Sequence, residues 1–284
     1  MEGLEESQMP RKRLTQLFPF LLPLRQKQRK LFYYAHMRLD QNRYAAQIQR
    51  EPLPFTLFET RSLLINEHTG HDIQLQKNKV FNLKLAARTI DHVVIEPGET
   101  FSFYWLARFA DREQPYRDGL VLKYGEIVGS YGGGLCQLSN LLHWMFLHSP
   151  LTVTERHAHK VEAFPSPDDD QPQGVDATLN EGWLDLRARN DTGRRLQIEI
   201  QFDEQYMYGR IRSDAAARTR YEVYNDTVAY CRRDVRVIQR ASVSRRETDL
   251  ETGAQRIARL YVNETEIGYP LPEGTPVREW NART

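Results

Sequence analysis

The stretch from Leu135 to His148 leaves the fold little choice. Leu135, Leu138, Leu141, Leu142, Trp144, Met145, Phe146 and Leu147 make it apolar on almost every side, and a helix of that kind is stable only when buried. Its polar residues are not scattered. Cys136, Ser139, Asn140 and His143 recur at i, i+3, i+4 and i+7, a single face. The chain must therefore wrap a core around this helix while keeping one polar stripe in contact with something. Gly132, Gly133 and Gly134 precede it and admit backbone conformations closed to other residues. Cys136, at the head of the stripe, lies where free backbone N–H groups and the helix dipole favour a thiolate.

A thiolate nucleophile needs a base and a group to orient it. His143 is a poor base, because seven residues of helix place it about 10 Å from Cys136. Residues 152–164 alternate like a strand, so His157 and His159 share a face there, and either could serve. Asp176, flanked by Val175 and Ala177, is a carboxylate in an apolar setting and needs a partner. Asp168, Asp169 and Asp170 read as a solvated loop. Gln137, together with the backbone N–H groups near Gly134 and Cys136, offers an oxyanion site. Glu155 and Arg156 read as an ion pair or as a handle for a substrate carboxylate. Cys136, His157, His159 and one aspartate also make a conceivable zinc set. However, there is no C-x-x-C or H-E-x-x-H, and no P-loop or dinucleotide fingerprint. No cofactor is expected.

The 284 residues carry a net charge of +1, which gives no basic excess for nucleic acid. Two cysteines, Cys136 and Cys231, are too few for a disulfide framework and read as free thiols. No run is long enough to cross a bilayer. Residues 11–30 set basic residues on both sides of the apolar Leu17–Leu24 segment, which contains Pro19 and Pro23. Lacking a small-residue cleavage site, this segment reads as a packed, proline-kinked stretch or a peripheral membrane patch rather than a signal peptide. A cytoplasmic protein, at most peripheral to the membrane, is the expectation.

The fold class read from these patterns is α+β. Residues 1–75 are expected to form an N-terminal helical region, with a basic amphipathic helix over 25–50. Residues 76–212 form a mixed core carrying the Cys/His/Asp constellation, with a helix over 78–90 and a hairpin around Lys123-Tyr124-Gly125. Segments 183–189, 196–202 and 206–212 read as a meander. Residues 213–284 read as a small antiparallel β region.

The strings Gly132-Gly133-Gly134-Leu135-Cys136-Gln137-Leu138-Ser139-Asn140, Glu155-Arg156-His157-Ala158-His159 and Gly174-Val175-Asp176-Ala177-Thr178 resemble the VanW family. So does Phe81–Ala87 followed by Glu96–Phe103. The resemblance runs over nearly the whole chain and is strongest to the short members found with B-type vancomycin-resistance gene clusters. It implies a link to glycopeptide resistance and the cell envelope, and no defined biochemical role. The family motif falls on Gly132, Gly133, Gly134, Cys136, Gln137, Ser139, Arg156, His159 and Asp176, and so favours His159 over His157. Many members carry Thr and Tyr where this chain has Asn140 and His143.

Together these readings give a first expectation: a cysteine-dependent hydrolase or acyl transferase acting on a peptide or peptidoglycan precursor. Cys136 would be the nucleophile, His159 the base and Asp176 its orienter, with Gly133, Gly134, Gln137, Ser139 and Arg156 binding substrate or oxyanion. The alternatives are a non-catalytic binding or structural module, with Cys136 as a small buried hydrophobe, and a zinc-site protein.

Overall fold

The computed structural model describes residues 19–65, 72–123, 126–163 and 171–279. The fold is α+β and divides into two compact units: Met1–Gln41 with Glu181–Trp183, and Asn42–Asn180 with Leu184–Thr284. In the first unit the helix α1 (Leu22–Leu39) begins with Pro23 in its opening turn, where proline's missing N–H costs nothing. It ends at Asp40, whose N–H bonds back to His36 O at 2.8 Å. Tyr34 donates to Glu181 at 2.9 Å, Lys30 pairs with the same carboxylate, and the Arg29 guanidinium lies over the Trp183 ring. The helix is shorter than the 25–50 segment read from sequence. Residues 43–44 and 47–48 are short strands instead, and Phe55–Leu63, assigned at the sequence level to a helical region, is a full strand.

Among the described residues the second unit holds three sheets and a hairpin. The core sheet runs in the order Gln47–Ile48, Val93–Ile95, Leu196–Phe202, Tyr206–Ser213, Phe55–Leu63. The buried helix α4 (Cys136–Leu147) packs against it, with Leu138, Leu141, Leu142, Met145 and Phe146 all essentially inaccessible. Each such side chain is worth about 1.5–3 kcal/mol of transfer free energy. The approach is close: a Cβ on Gly209 would collide with the Met145 sulfur and press on Leu141.

A second sheet orders Arg43–Tyr44, Glu99–Ser102, Arg187–Arg189 and Thr152–Glu155. The sequence placed 183–189 in a meander with 196–212, but only the Leu196–Phe202/Tyr206–Ser213 hairpin is formed. Arg187–Arg189 pairs with Glu99–Ser102 because the buried Asp185 anchors it there. Asp185 accepts from Ser102 Oγ at 2.5 Å and Tyr104 N at 3.1 Å, and is paired with Arg187.

Helix α2 (Ile73–Ala87), capped by Asp72, and the short helix α3 (Phe103–Ala107), capped by Ser102, precede the hairpin Asp118–Lys123/Glu126–Tyr131. Asn82 on α2 ties that hairpin down. Its side chain donates to Arg117 O and Gly133 O and accepts from Arg117 N. The hairpin tip at Tyr124-Gly125 lies outside the described residues, as do Asp168–Asp170 and residues 11–18.

The third sheet is longer than the sequence suggested. Thr219–Arg233, Arg236–Asp249 and Gln255–Ile267 pair antiparallel, and Val277–Glu279 and Val161–Glu162 add parallel at its two edges. Val161–Glu162 therefore pulls the segment just after His159 into register with Glu266 and Ile267. No helix among the described residues is long and apolar enough to cross a membrane.

Candidate functional site

The glycine turn delivers Cys136 to the first position of α4. Gly132 and Gly134 have φ of 69° and 94°, a region in which a side chain is strained. Gly133 meets Gly119 backbone to backbone, so that a Cβ on either would collide with the other's carbonyl.

The first three members of the polar stripe of α4 face one segment opposite. Ser139 Oγ donates to Ala177 O at 2.5 Å and to Cys136 O at 3.0 Å. Asn140 Oδ1 accepts from Ala177 N at 2.7 Å. Ala177 is thus clamped through both its backbone N–H and its carbonyl, and the clamp sets Asp176 and Thr178 beside the helix start. Thr178 Oγ1 lies 3.7 Å from Cys136 Sγ. The last member of the stripe, His143, is fully buried and bonds to the Tyr261 hydroxyl at 3.1 Å. Burial first, and the Arg156 charge second, hold it near pKa 3, so it stays neutral and away from the thiol.

His159 reaches the thiol by a route the sequence did not give. Residues 152–164 do not form one strand: pairing stops at Glu155 and resumes at Val161. Between them the chain turns its hydrogen bonds toward residues 174–178. Thr178 N donates to His157 O at 2.7 Å, and His159 N donates to Asp176 Oδ2 at 2.6 Å. Arg156 ties the same loop down through Asp176 O, Gly174 O and Asp176 Oδ1 at 2.6–2.8 Å, and reaches Asn263 Oδ1 at 3.0 Å. Its guanidinium lies over the Tyr261 ring. Arg156 neither pairs with Glu155 nor is free for a substrate. Glu155 instead pairs with His157 and Arg187, which leaves His157 outside the site.

His159 Nδ1 bonds to Asp176 Oδ2 at 2.6 Å, leaving Nε2 for the sulfur. Burial pushes the Cys136 thiol up. The hydrogen bond and charge of His159 outweigh it, the Leu179 N–H and Thr178 hydroxyl add to them, and the thiol settles below its ordinary value. Burial works against the His159 cation as well, but its bonds and charges to Asp176 and Cys136 raise it to about 10. Asp176 is disfavoured by burial and rescued by His159 and Arg156, ending below the usual carboxylate range. The directions agree on a thiolate–imidazolium pair backed by a carboxylate.

Gln137 departs from the oxyanion role read from sequence. Its Nε2 donates to Leu63 O at 2.6 Å and Ser62 Oγ at 3.0 Å, so the N–H groups are consumed. Ser139, likewise, has its hydroxyl committed. Both cysteines are free thiols. Among the described residues no three His, Cys, Asp or Glu side chains are grouped to hold a metal ion.

These residues open onto a cavity of about 560 Å³. Its wall includes Gly132–Gln137, His159, Asp176, Thr178 and, from α2, Gln76 and Lys79. Lys79 carried no signal in the sequence, being one cation among several on an amphipathic helix. Asn263 and Thr265, which touch Arg156 and the His159 carbonyl, lie too far along the chain for spacing to reveal them.

The family profile described as "VanW like protein" matches residues 78–212. The Vancomycin B-type resistance protein VanW of Enterococcus faecalis is 47% identical over 274 residues, covering 96% of this chain and all of the relative. The chain belongs to the VanW family. A second relative, the uncharacterized protein YoaR of Bacillus subtilis, is 31% identical over 125 residues, 44% of this chain and 40% of its own length. No solved structure matches. The VanW profile takes in Lys79, Cys136, His159 and Asp176 and stops short of Asn263 and Thr265, so this chain buttresses its family segment with a sheet beyond it.

Proposed function

We propose that this VanW-family chain is a cysteine-dependent hydrolase or acyl transferase acting on a peptide or peptidoglycan precursor, and that it serves vancomycin resistance as its E. faecalis relative is named for doing. The observation that carries the reading is the Cys136–His159–Asp176 series on the wall of a cavity large enough for a small peptide.

In this reading the Cys136 thiolate adds to a substrate carbonyl, and the oxyanion that forms is met by the Cys136 backbone N–H at the first turn of α4. The C–N bond then breaks as His159 Nε2 hands its proton to the leaving amine, giving a thioester on Cys136. Neutral His159 takes a proton from water or an acceptor amine, which attacks the thioester and restores the thiolate. Asp176 keeps the imidazole in one tautomer and one orientation throughout. A cytoplasmic site of action, on a precursor rather than finished wall, is part of the proposal.

The test is turnover of peptidoglycan-precursor peptides together with mass-spectrometric capture of an acyl group on Cys136. Cys136→Ala should remove both while the protein stays folded by circular dichroism. Turnover retained by the folded Cys136→Ala protein would overturn the proposal.

A further inference from the structure

Lys79 is a cation on the wall of the cavity. Among the described residues it has no hydrogen-bond or ion-pair partner. The two carboxylates on the same wall are engaged elsewhere: Asp176 by His159 and Arg156, Glu162 by the Tyr269 hydroxyl at 3.1 Å. The lysine stem lies directly against Gly134, where a Cβ would collide with its Cγ, so the glycine turn that presents Cys136 also makes room for Lys79. Burial lowers its pKa to about 8, the mark of an ammonium short of counter-charge. Gln137 offers no free amide N–H to an anion here, because its Nε2 donates to Leu63 and Ser62.

Lys79 and the Cys136 thiol share one wall of the cavity, and the pair matches one chemical unit. We propose that the cavity recognises the carboxyl-terminal residue of a peptide, with its free carboxylate on Lys79. This deepens and rests on the reading of Cys136 as nucleophile. The amide that joins this residue to the rest of the peptide is then the bond presented to Cys136. Thiolate addition to its carbonyl and proton delivery from His159 release the terminal residue as a free amino acid, leaving the rest of the peptide as the thioester. One lysine without an arginine fork suits a monoanionic carboxylate better than a phosphate.

Two measurements test this. The first is the ratio of Cys136 alkylation rates with iodoacetate and iodoacetamide, in a Cys231→Ser background. The ratio cancels the thiolate fraction and reads the pull on the carboxylate. It should fall about tenfold in Lys79→Gln, as expected for loss of roughly 1.4 kcal/mol of pairing, and recover in Lys79→Arg. The second uses Cys136→Ala. N-acetyl-dialanine should raise its melting temperature, whereas the C-terminal amide of the same peptide should not, and Lys79→Gln in that background should abolish the shift.

A ratio indifferent to Lys79 together with equal shifts from acid and amide would overturn the proposal, even with a reactive thiol. A Lys79-dependent shift from inorganic phosphate, with none from N-acetyl-dialanine, would overturn it too. A sluggish Cys136 with a Lys79-dependent peptide shift would instead uphold the carboxylate site and sink the nucleophile.

Discussion

Asp176 holds His159 at two points: one carboxylate oxygen, Oδ2, accepts both the ring Nδ1 and the backbone N–H, each at 2.6 Å. The other oxygen takes Arg156 at 2.8 Å. Ring and main chain of the histidine are therefore positioned by the same group, which fixes where Nε2 points before any substrate arrives. Asp176→Asn keeps the size but brings N–H groups to face other donors. It should lose about 3 kcal/mol in urea denaturation, as expected when one partner of a buried pair is removed, and slow Cys136 alkylation near pH 6 by about tenfold. Asp176 sits below its ordinary pKa, so its stabilising contribution is complete above about pH 3.8 and is lost as pH falls through the folded value. Asp176→Asn should show a shallower acid limb than wild type.

The clamp on Ala177 predicts a non-additive pair. Ser139→Ala orphans the Ala177 carbonyl and Asn140→Ala orphans its N–H. Each should cost about 1–3 kcal/mol. Because both changes free the backbone of the same residue, the double variant should cost less than the sum. Chemical denaturation of all four proteins measures this, and strict additivity would mean that the two bonds act independently.

Glycine substitutions should rank by what the new methyl meets. Gly119→Ala drives a Cβ into the Gly133 carbonyl, backbone against backbone, where nothing can rotate away. Gly134→Ala meets the flexible stem of Lys79 and adds the strain of φ near 94°, about 1–3 kcal/mol. Thermal melts should place Gly119→Ala below Gly134→Ala, and the reverse order would put the turn's tightest contact elsewhere.

The coupled thiol and imidazole predict an unusual pH response of stability. His159 is raised to about 10 in the folded chain from about 6.5, so its contribution is complete below about pH 6.5 and is lost as pH climbs through 10. Cys136 is held below its ordinary value of about 9.0, so its contribution is complete above that value and is lost as pH falls. From the folded Cys136 pKa up to about pH 9 the two offset, and wild-type stability should change little there. Cys136→Ala leaves only the histidine contribution and should weaken steadily as pH rises across the same window. Urea midpoints at several pH values read the difference.

The parts legible in the sequence were those written in local periodicity. The apolar run 135–148 could only be a buried helix, and its stripe at i, i+3, i+4 and i+7 announced a polar contact. The stripe did not say that Ser139 and Asn140 would grip Ala177 rather than a ligand, because a hydroxyl or amide looks the same in sequence whether spent or free. The segment 152–164 alternates as a strand does, yet Arg156 and Asp176 outbid the ladder for its backbone. That competition involves residues about twenty positions apart and leaves no periodic trace. Arg187–Arg189 left the expected meander for the same kind of reason, a buried Asp185 whose partners Ser102 and Tyr104 lie far back in the chain. Lys79 reads as an ordinary surface cation on α2 until the glycine turn is seen to fold over its stem.

The coupling of Cys136 to His159 is the central claim, and the rate of Cys136 alkylation by iodoacetamide as a function of pH tests it most directly. With Cys231→Ser as background, the rate should stay high well below pH 8.5, where an unperturbed thiol titrates, and that acidic plateau should vanish in His159→Ala. A slow thiol titrating near 8.5 in both proteins, with the fold intact, would contradict the account and leave Cys136 as a buried structural residue.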